Sequence, residues 1–159
     1  MRQSITLIGC GKAKQPEAWN GQAKDLYTGC LFKARRHFAE RIRVLDGSPW
    51  AIVSAEHGLV APNQLLCPYN TTIKDLSRLQ RSKWALDVTD SVLGVKILLK
   101  AIDPKNTTIA LHIGRDYAEL LIPVLESVGF SVIWVTKGMS QGAQLKWYAG
   151  IRKLNGETK

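Results

Sequence analysis

Four short stretches of nearly unbroken apolar character punctuate the chain: ITLIG (5–9), WAIVSA (50–55), TIALHIG (108–114) and FSVIWVT (130–136). Each is rich in β-branched or aromatic residues and ends at, or is followed at once by, a glycine or a polar residue. A strand covered on both faces reads this way, because neither face has to be polar. Between these runs the apolar positions recur at helical spacing. Leu31, Ala34, Phe38, Ile42 and Leu45 form one stripe, with Lys33, Arg36, Glu40 and Arg43 opposite, which predicts a helix with that stripe against the core. A second helix is expected over about Leu76 to Ile102, broken near Gly94 and stopped before Asp103-Pro104, since the residue preceding proline disfavours helical angles. A third follows Gly114 and runs to Gly129, with Pro123 expected to kink or divide it. A fourth covers roughly Gln141 to Leu154 and precedes a polar, flexible tail at 154–159.

Strands that alternate with helices predict an α/β fold: one Rossmann-like domain over residues 1–159, with a mainly parallel sheet of at least four strands and helices on both faces. A chain of 159 residues is long enough to bury one core. In such sheets ligands settle outside the carboxyl ends of the strands. The residues expected there are Gly9, Cys10, Gly11, Lys12 and Lys14 after the first strand, Ser54, Glu56, His57 and Gly58 after the second, Gly114, Arg115 and Tyr117 after the third, and Thr136, Lys137, Gly138 and Ser140 after the fourth. Glycine lets a ligand approach main-chain N–H groups, and Lys or Arg neutralises phosphate or carboxylate. GCGKAK is neither a Walker A loop nor a complete G-x-G-x-x-G motif.

Charge sharpens the expectation. The formal net charge of +9 concentrates anions around the surface, so a nucleotide, a nucleobase or a nucleic acid is the expected partner. Lys12 and Arg115 are the expected phosphate contacts. Cys10, Cys30 and Cys67 are odd in number and form no C-x-x-C pair, so neither zinc nor a disulfide framework is expected, and no other cofactor. The opening MRQSITLIGCGK does not read as a signal peptide, and no stretch has the apolar length of a membrane span. A cytoplasmic protein, with no membrane partner, is expected; self-association is left open.

The stretch SAEHGLVAPNQLLCPYNTT (54–72) carries the candidate chemistry. Glu56 at a strand end can act as general acid or base, bind a sugar hydroxyl or attack an anomeric carbon, with Ser54 orienting it or the ligand; it can equally serve only as an ion-pair partner of Lys12 or Arg115. Gly58 permits a left-handed turn behind these residues. The following loop is long and offers Tyr69, Asn70 and Thr72. Tyr69 can stack on a base or anchor the loop from below, and Thr72 can read a polar edge or cap the next helix. Ser54 lacks the G-x-S-x-G elbow of a serine hydrolase. Arg35, at the edge of its helical stripe, can bend its guanidinium into the crevice or snorkel outward. Tyr27 can serve as a ring platform or staple the start of that helix.

The blocks CGK, DLYTGCLFKARRHFA, WAIVSAEHGLVAPNQLLCPYNTTI and LHIGRDYAELLIPVL resemble a phage- and bacteria-associated family of unknown function. More distantly the chain resembles, through its S-A-x-x-G-L-x-x-P…Y stretch (Ser54 to Tyr69), the peroxide-stress YaaA proteins and a domain of archaeosine synthase. That resemblance, over roughly residues 3–150, implies that Cys10, Lys12, Tyr27, Arg35, Ser54, Glu56, Gly58, Pro62, Tyr69, Gly114 and Tyr117 line or shape a common site. It also implies a setting of nucleic-acid damage or base modification. The expectation is a hydrolase or transferase acting on a nucleotide or nucleobase with glycosidic-type chemistry. The alternatives are a nucleic-acid-binding module without chemistry, or an accessory protein with a basic face.

Overall fold

The computed structural model describes residues 2–94 and 102–157 of the chain. The four apolar runs are strands β1 (Gln3–Gly9), β3 (Trp50–Ser54), β6 (Thr107–His112) and β7 (Ser131–Trp134). Between them lie β2 (Gly21–Gln22), α1 (Ala23–Leu26), α2 (Cys30–Asp46), β4 (Gly58–Val60), β5 (Leu65–Leu66), α3 (Arg78–Leu93) and α4 (Arg115–Ser127), and α5 (Gln141–Leu154) follows β7. The main sheet is five-stranded in the order β4-β3-β1-β6-β7, with β4 antiparallel to β3 and the other neighbours parallel. This is the mainly parallel, Rossmann-like α/β arrangement that the alternation of runs predicted.

The continuous apolar character of the strands follows from cover on both sides. Leu7, Val53 and Leu111 belong to a core closed by Val88 of α3 and Leu121 and Leu125 of α4. Ile8 and Ile52, one residue along, belong to a second core with Phe32 and Ala39 of α2. Successive side chains on a strand point to opposite faces, so both parities must be apolar here. Each such Leu or Ile, shut from solvent, contributes about 1.5–3 kcal/mol. Helix α3 packs on α4, and α2 on α5.

Three expectations change and a fourth, that for Pro123, is narrowed. The stripe of α2 turns by about one residue: Phe32, Arg35 and Ala39 are its buried positions, while Leu45 is exposed. A wheel drawn from apolar residues alone misses this because Arg35 occupies a core position. The helix expected from Leu76 begins instead with a 3₁₀ turn at Ile73–Asp75, capped by Thr72, and then α3, whose N-cap is Ser77; the stretch 95–101 lies outside the described residues. Pro123 sits within α4 without dividing it. Finally, the chain after Gly58 is no long free loop. Gly58 adopts φ +68°, the left-handed angle that a side chain disfavours, and this turns 58–60 back against β3 with Ser54 opposite Gly58. Leu65–Leu66 then pairs with Gly21–Gln22.

In the tail, Glu157 meets His37 and Arg41 of α2, which lowers its carboxyl pKa, chiefly through the hydrogen bond with His37. Residues 158–159 lie outside the described range.

The order of strands changes direction at one place. From β1 the chain passes to β3 on one side, and later returns to β6 on the other. The connections therefore diverge at the carboxyl ends of β1 and β6, the place where open α/β sheets take ligands.

Candidate functional site

Six side chains from well-separated segments converge at the carboxyl ends of β1 and β3. Ser54, the last residue of β3, is fully buried. Its Oγ accepts the His57 N–H at 3.1 Å and pairs with the Tyr69 hydroxyl at 2.7 Å. The Tyr69 hydroxyl pairs in turn with that of Tyr27 at 2.7 Å. Trp84 Nε1–H donates to the Ser54 carbonyl at 2.9 Å, which fixes the strand end from the α3 side. The result is a chain of three hydroxyls, Ser54, Tyr69 and Tyr27, each able to donate and to accept.

The rings of this chain face a cation and a thiol. Lys14 Nζ lies 4.5 Å from the centroid of Tyr69 and 5.8 Å from that of Tyr27, within the range of a cation–π attraction. The Lys14 side chain is placed there by a bridge between Lys14 and Tyr27. On the other side of Cys10, the Tyr117 hydroxyl of α4 stands 3.5 Å from the Cys10 sulfur. Cys10, Lys14, Tyr69 and Tyr117 keep partial exposure, while Tyr27 and Ser54 lie behind them.

Electrostatics follow from this burial. Loss of solvent lowers the Lys14 pKa, with Cys10 acting in the opposite sense. Burial pushes the Tyr27 phenol up to about 12, partly offset by its bond to Tyr69. It raises Tyr69 and Tyr117 as well, with Cys10 reinforcing both. All three phenols therefore stay protonated at neutral pH and act as neutral donors and acceptors.

A second group lies beside β1 and β6. Arg35 of α2 is only 5% exposed, and no carboxylate among the described residues pairs with it. Its Nη2 donates to Gln144 Oε1 of α5 at 2.9 Å, and its Nε meets no acceptor. Burial lowers its pKa, opposed by Tyr148 and by Cys10. His112, the last residue of β6, is fully buried, with Nδ1 paired to the Tyr148 hydroxyl at 2.7 Å. Burial, then Arg35, takes its pKa down to about 4, so the imidazole is neutral at physiological pH. Phe38 and Trp147 close the cluster.

Gly9 marks where Arg35 meets the strand. A Cβ at that position would stand 3.0 Å from Arg35 Nη1, closer than side chains tolerate without a shift. The glycine keeps room for a guanidinium.

The residues singled out from the sequence thus separate. Gly9, Cys10, Tyr27, Arg35, Ser54, Tyr69 and Tyr117 gather at or beside the strand ends. Lys12 is exposed and contributes its carbonyl to Lys14 Nζ at 3.3 Å. Arg115 projects into solvent and pairs with Glu119 at 2.6 Å. Glu56 is exposed on the β3–β4 turn. It lines an open groove of about 280 Å³ with His57, Gln80, Lys83 and Trp84. The His57 ring stands edge-on to Tyr69, centroids 5.1 Å apart, so the turn joins this groove to the phenol cluster. Gly11 packs near Phe32 and Tyr27, and Gly114 caps α4. Asn70 is exposed.

Gln144, Tyr148 and His112 were not expected. Their only signal lay in polar residues interrupting otherwise apolar faces. Among the described residues no group of three or more His, Cys, Asp or Glu side chains stands where it could hold a metal ion, and no helix is long and apolar enough to cross a membrane.

Fold and cluster together define a Rossmann-like α/β protein with a thiol, phenols, a half-buried lysine and a buried guanidinium at its strand ends. Residues 5–150 match a family of unknown function, DUF6884. The chain belongs to that family. No curated protein matches it.

Proposed function

We propose that this protein is an enzyme that processes a nucleotide or a nucleobase at the carboxyl ends of its strands, by hydrolysis or group transfer. The observation that carries the reading is the convergence of Cys10, Lys14, Tyr27, Ser54, Tyr69 and Tyr117 from segments far apart in the chain. The half-exposed Tyr69 offers a ring face for a base, and stacking of this kind tolerates any base. Lys14 supplies positive charge over the same ring. Neutral hydroxyls provide donors and acceptors for the polar edge of a base or a sugar. Glu56, on the turn that carries His57 against Tyr69, acts as the acid or base for a glycosidic bond at the mouth of the groove. The resemblance to the YaaA proteins and to archaeosine synthase supports a substrate related to nucleic-acid modification.

A thermal-shift screen against nucleotides, nucleosides and modified bases tests this reading, since a ligand that binds only the folded state raises the melting temperature. Once a substrate is found, Glu56→Gln should abolish turnover and leave affinity within about threefold, because a residue acting only in the transition state contributes little to ground-state binding. Undiminished turnover would remove Glu56 from the mechanism.

The net charge of +9 favours one other reading, a nucleic-acid-binding module. It requires affinity for nucleic acid that falls steeply with salt and weakens step by step as surface lysines are replaced. A strand-end enzyme loses function through a few residues instead.

A further inference from the structure

At the carboxyl ends of β1 and β6 two sources of positive charge lie close together. One is Arg35, a guanidinium with 5% exposure, no carboxylate partner among the described residues and an Nε without an acceptor. A buried cation normally carries a paired charge, because its desolvation is otherwise uncompensated. A Cβ built on Gly9 would stand 3.0 Å from Arg35 Nη1 and 3.4 Å from Ile113 Cα. The guanidinium and the residue that precedes the N-cap of α4 therefore meet over the same bare glycine.

The other source is the N-terminus of α4. The helix has 13 residues, and its N-cap, Gly114, provides no side-chain acceptor for the first-turn N–H groups. The Tyr117 N–H reaches the Gly114 carbonyl at 3.2 Å, whereas those of Arg115 and Asp116 have no partner among the described residues and carry the positive dipole end. In α3 and α5 a side-chain hydroxyl also joins the first turn, Ser77 accepting from the Gln80 N–H and Ser140 from the Ala143 N–H; Gly114 offers none. The charged side chains of the first turn of α4 are engaged elsewhere: Arg115 with Glu119 at 2.6 Å and Asp116 with Lys74 at 3.7 Å.

We propose that this corner is a phosphate subsite, and that the ligand of the strand-end site is a nucleoside monophosphate. Its phosphate lies between the Arg35 guanidinium and the α4 amides, with its base toward Tyr69 and Lys14. The inference rests on the strand-end reading and narrows it from nucleobase or nucleotide to nucleotide. A phosphate supplies what both partners lack: acceptor oxygens for planar guanidinium donors and for helix N–H groups. Gln144 on α5 holds the guanidinium in place and is a positioning residue. The surface cations Lys12 and Arg115 are not needed.

Gly114 allows a sharp test. Its φ is −72° and a Cβ there would meet nothing within 4 Å, so Gly114→Asp folds and puts a carboxylate on the amides a phosphate would use. Gly114→Ala leaves those amides free. Calorimetric titrations of wild type, Gly114→Asp, Gly114→Ala and Arg35→Met would use the common ribonucleoside 5′-monophosphates, the matching nucleosides and inorganic phosphate.

At least one monophosphate should bind the wild type about tenfold or more tightly than its nucleoside, with inorganic phosphate competing. Gly114→Asp should raise the melting temperature of the unliganded protein and erase that preference, Arg35→Met should erase it too, and Gly114→Ala should keep it. A nucleoside that binds as well as its monophosphate overturns the subsite and leaves the strand-end reading intact. A preference for monophosphate that survives Gly114→Asp also overturns it. Absence of binding across the whole panel overturns the subsite, while the strand-end reading falls only if the wider screen of modified bases is negative as well.

Discussion

Replacing His112 by glutamine should remove a large part of the acid sensitivity of this protein. The imidazole is fully buried at the end of β6, paired with Tyr148 through Nδ1, with Nε2 lacking a partner. Phe38, Trp147 and Tyr148 pack around it, and Arg35 is the charge acting on it. Its pKa falls from 6.5 to about 4 on folding. Below pH 6.5 the unfolded chain takes up a proton that the folded chain refuses until about pH 4. Between these values the unfolded state holds more protons, so stability is lost as pH falls through that window. At about 1.4 kcal/mol per pH unit, the full contribution is about 3 kcal/mol, of which about 2 kcal/mol disappears between pH 7 and pH 4.5.

The measurement is urea unfolding of wild type and His112→Gln across that range. Carboxylates titrate alike in both proteins and cancel in the comparison. The variant is expected to be less stable at pH 7 but to lose about 2 kcal/mol less than wild type on acidification to pH 4.5. Equal losses in the two proteins would show that His112 is not held neutral by its surroundings, and would refute the reasoning.

Two further substitutions probe the frame of the site. Ser54→Ala removes the buried oxygen that joins Tyr69 to the His57 amide; it should cost about 1–3 kcal/mol in urea unfolding, and an unchanged midpoint would mean the hydroxyl chain is not formed. Gly58→Ala keeps an ordinary contact, 3.6 Å to Val88 Cγ2, but forces a side chain onto φ +68°. The expected loss is about 1–2 kcal/mol from the backbone alone, and a change of no more than about 0.3 kcal/mol would contradict the turn.

The strands were legible because burial on both faces leaves no room for polar residues, so β1, β3, β6 and β7 appear as apolar runs whatever their order in the sheet. The short pairings of β4 and β5 left no such mark: three and two residues are too few to show a period. Arg35 shows how a pattern misleads. Counting apolar positions on α2 placed the stripe on Leu31, Phe38 and Ile42, whereas the buried face runs through Phe32, Arg35 and Ala39.

The site divides in a similar way. Ser54, Gly9 and Gly114 were recognisable from their place at the ends of apolar runs. Three of the cations and acids marked beside them, Lys12, Arg115 and Glu56, proved to be exposed, since adjacency in sequence fixes where a Cα lies but not where a long side chain goes. The cations that reach the strand ends, Lys14 and Arg35, come through a bridge to Tyr27 and through a helix packed against α5. Periodicity and apolar content, which are local, determined the fold class and the edge of the sheet where chemistry is expected. Which charges and hydroxyls meet there was decided only in three dimensions, because pairs such as Cys10 with Tyr117 and Arg35 with Gln144 lie more than one hundred residues apart and become neighbours through packing alone.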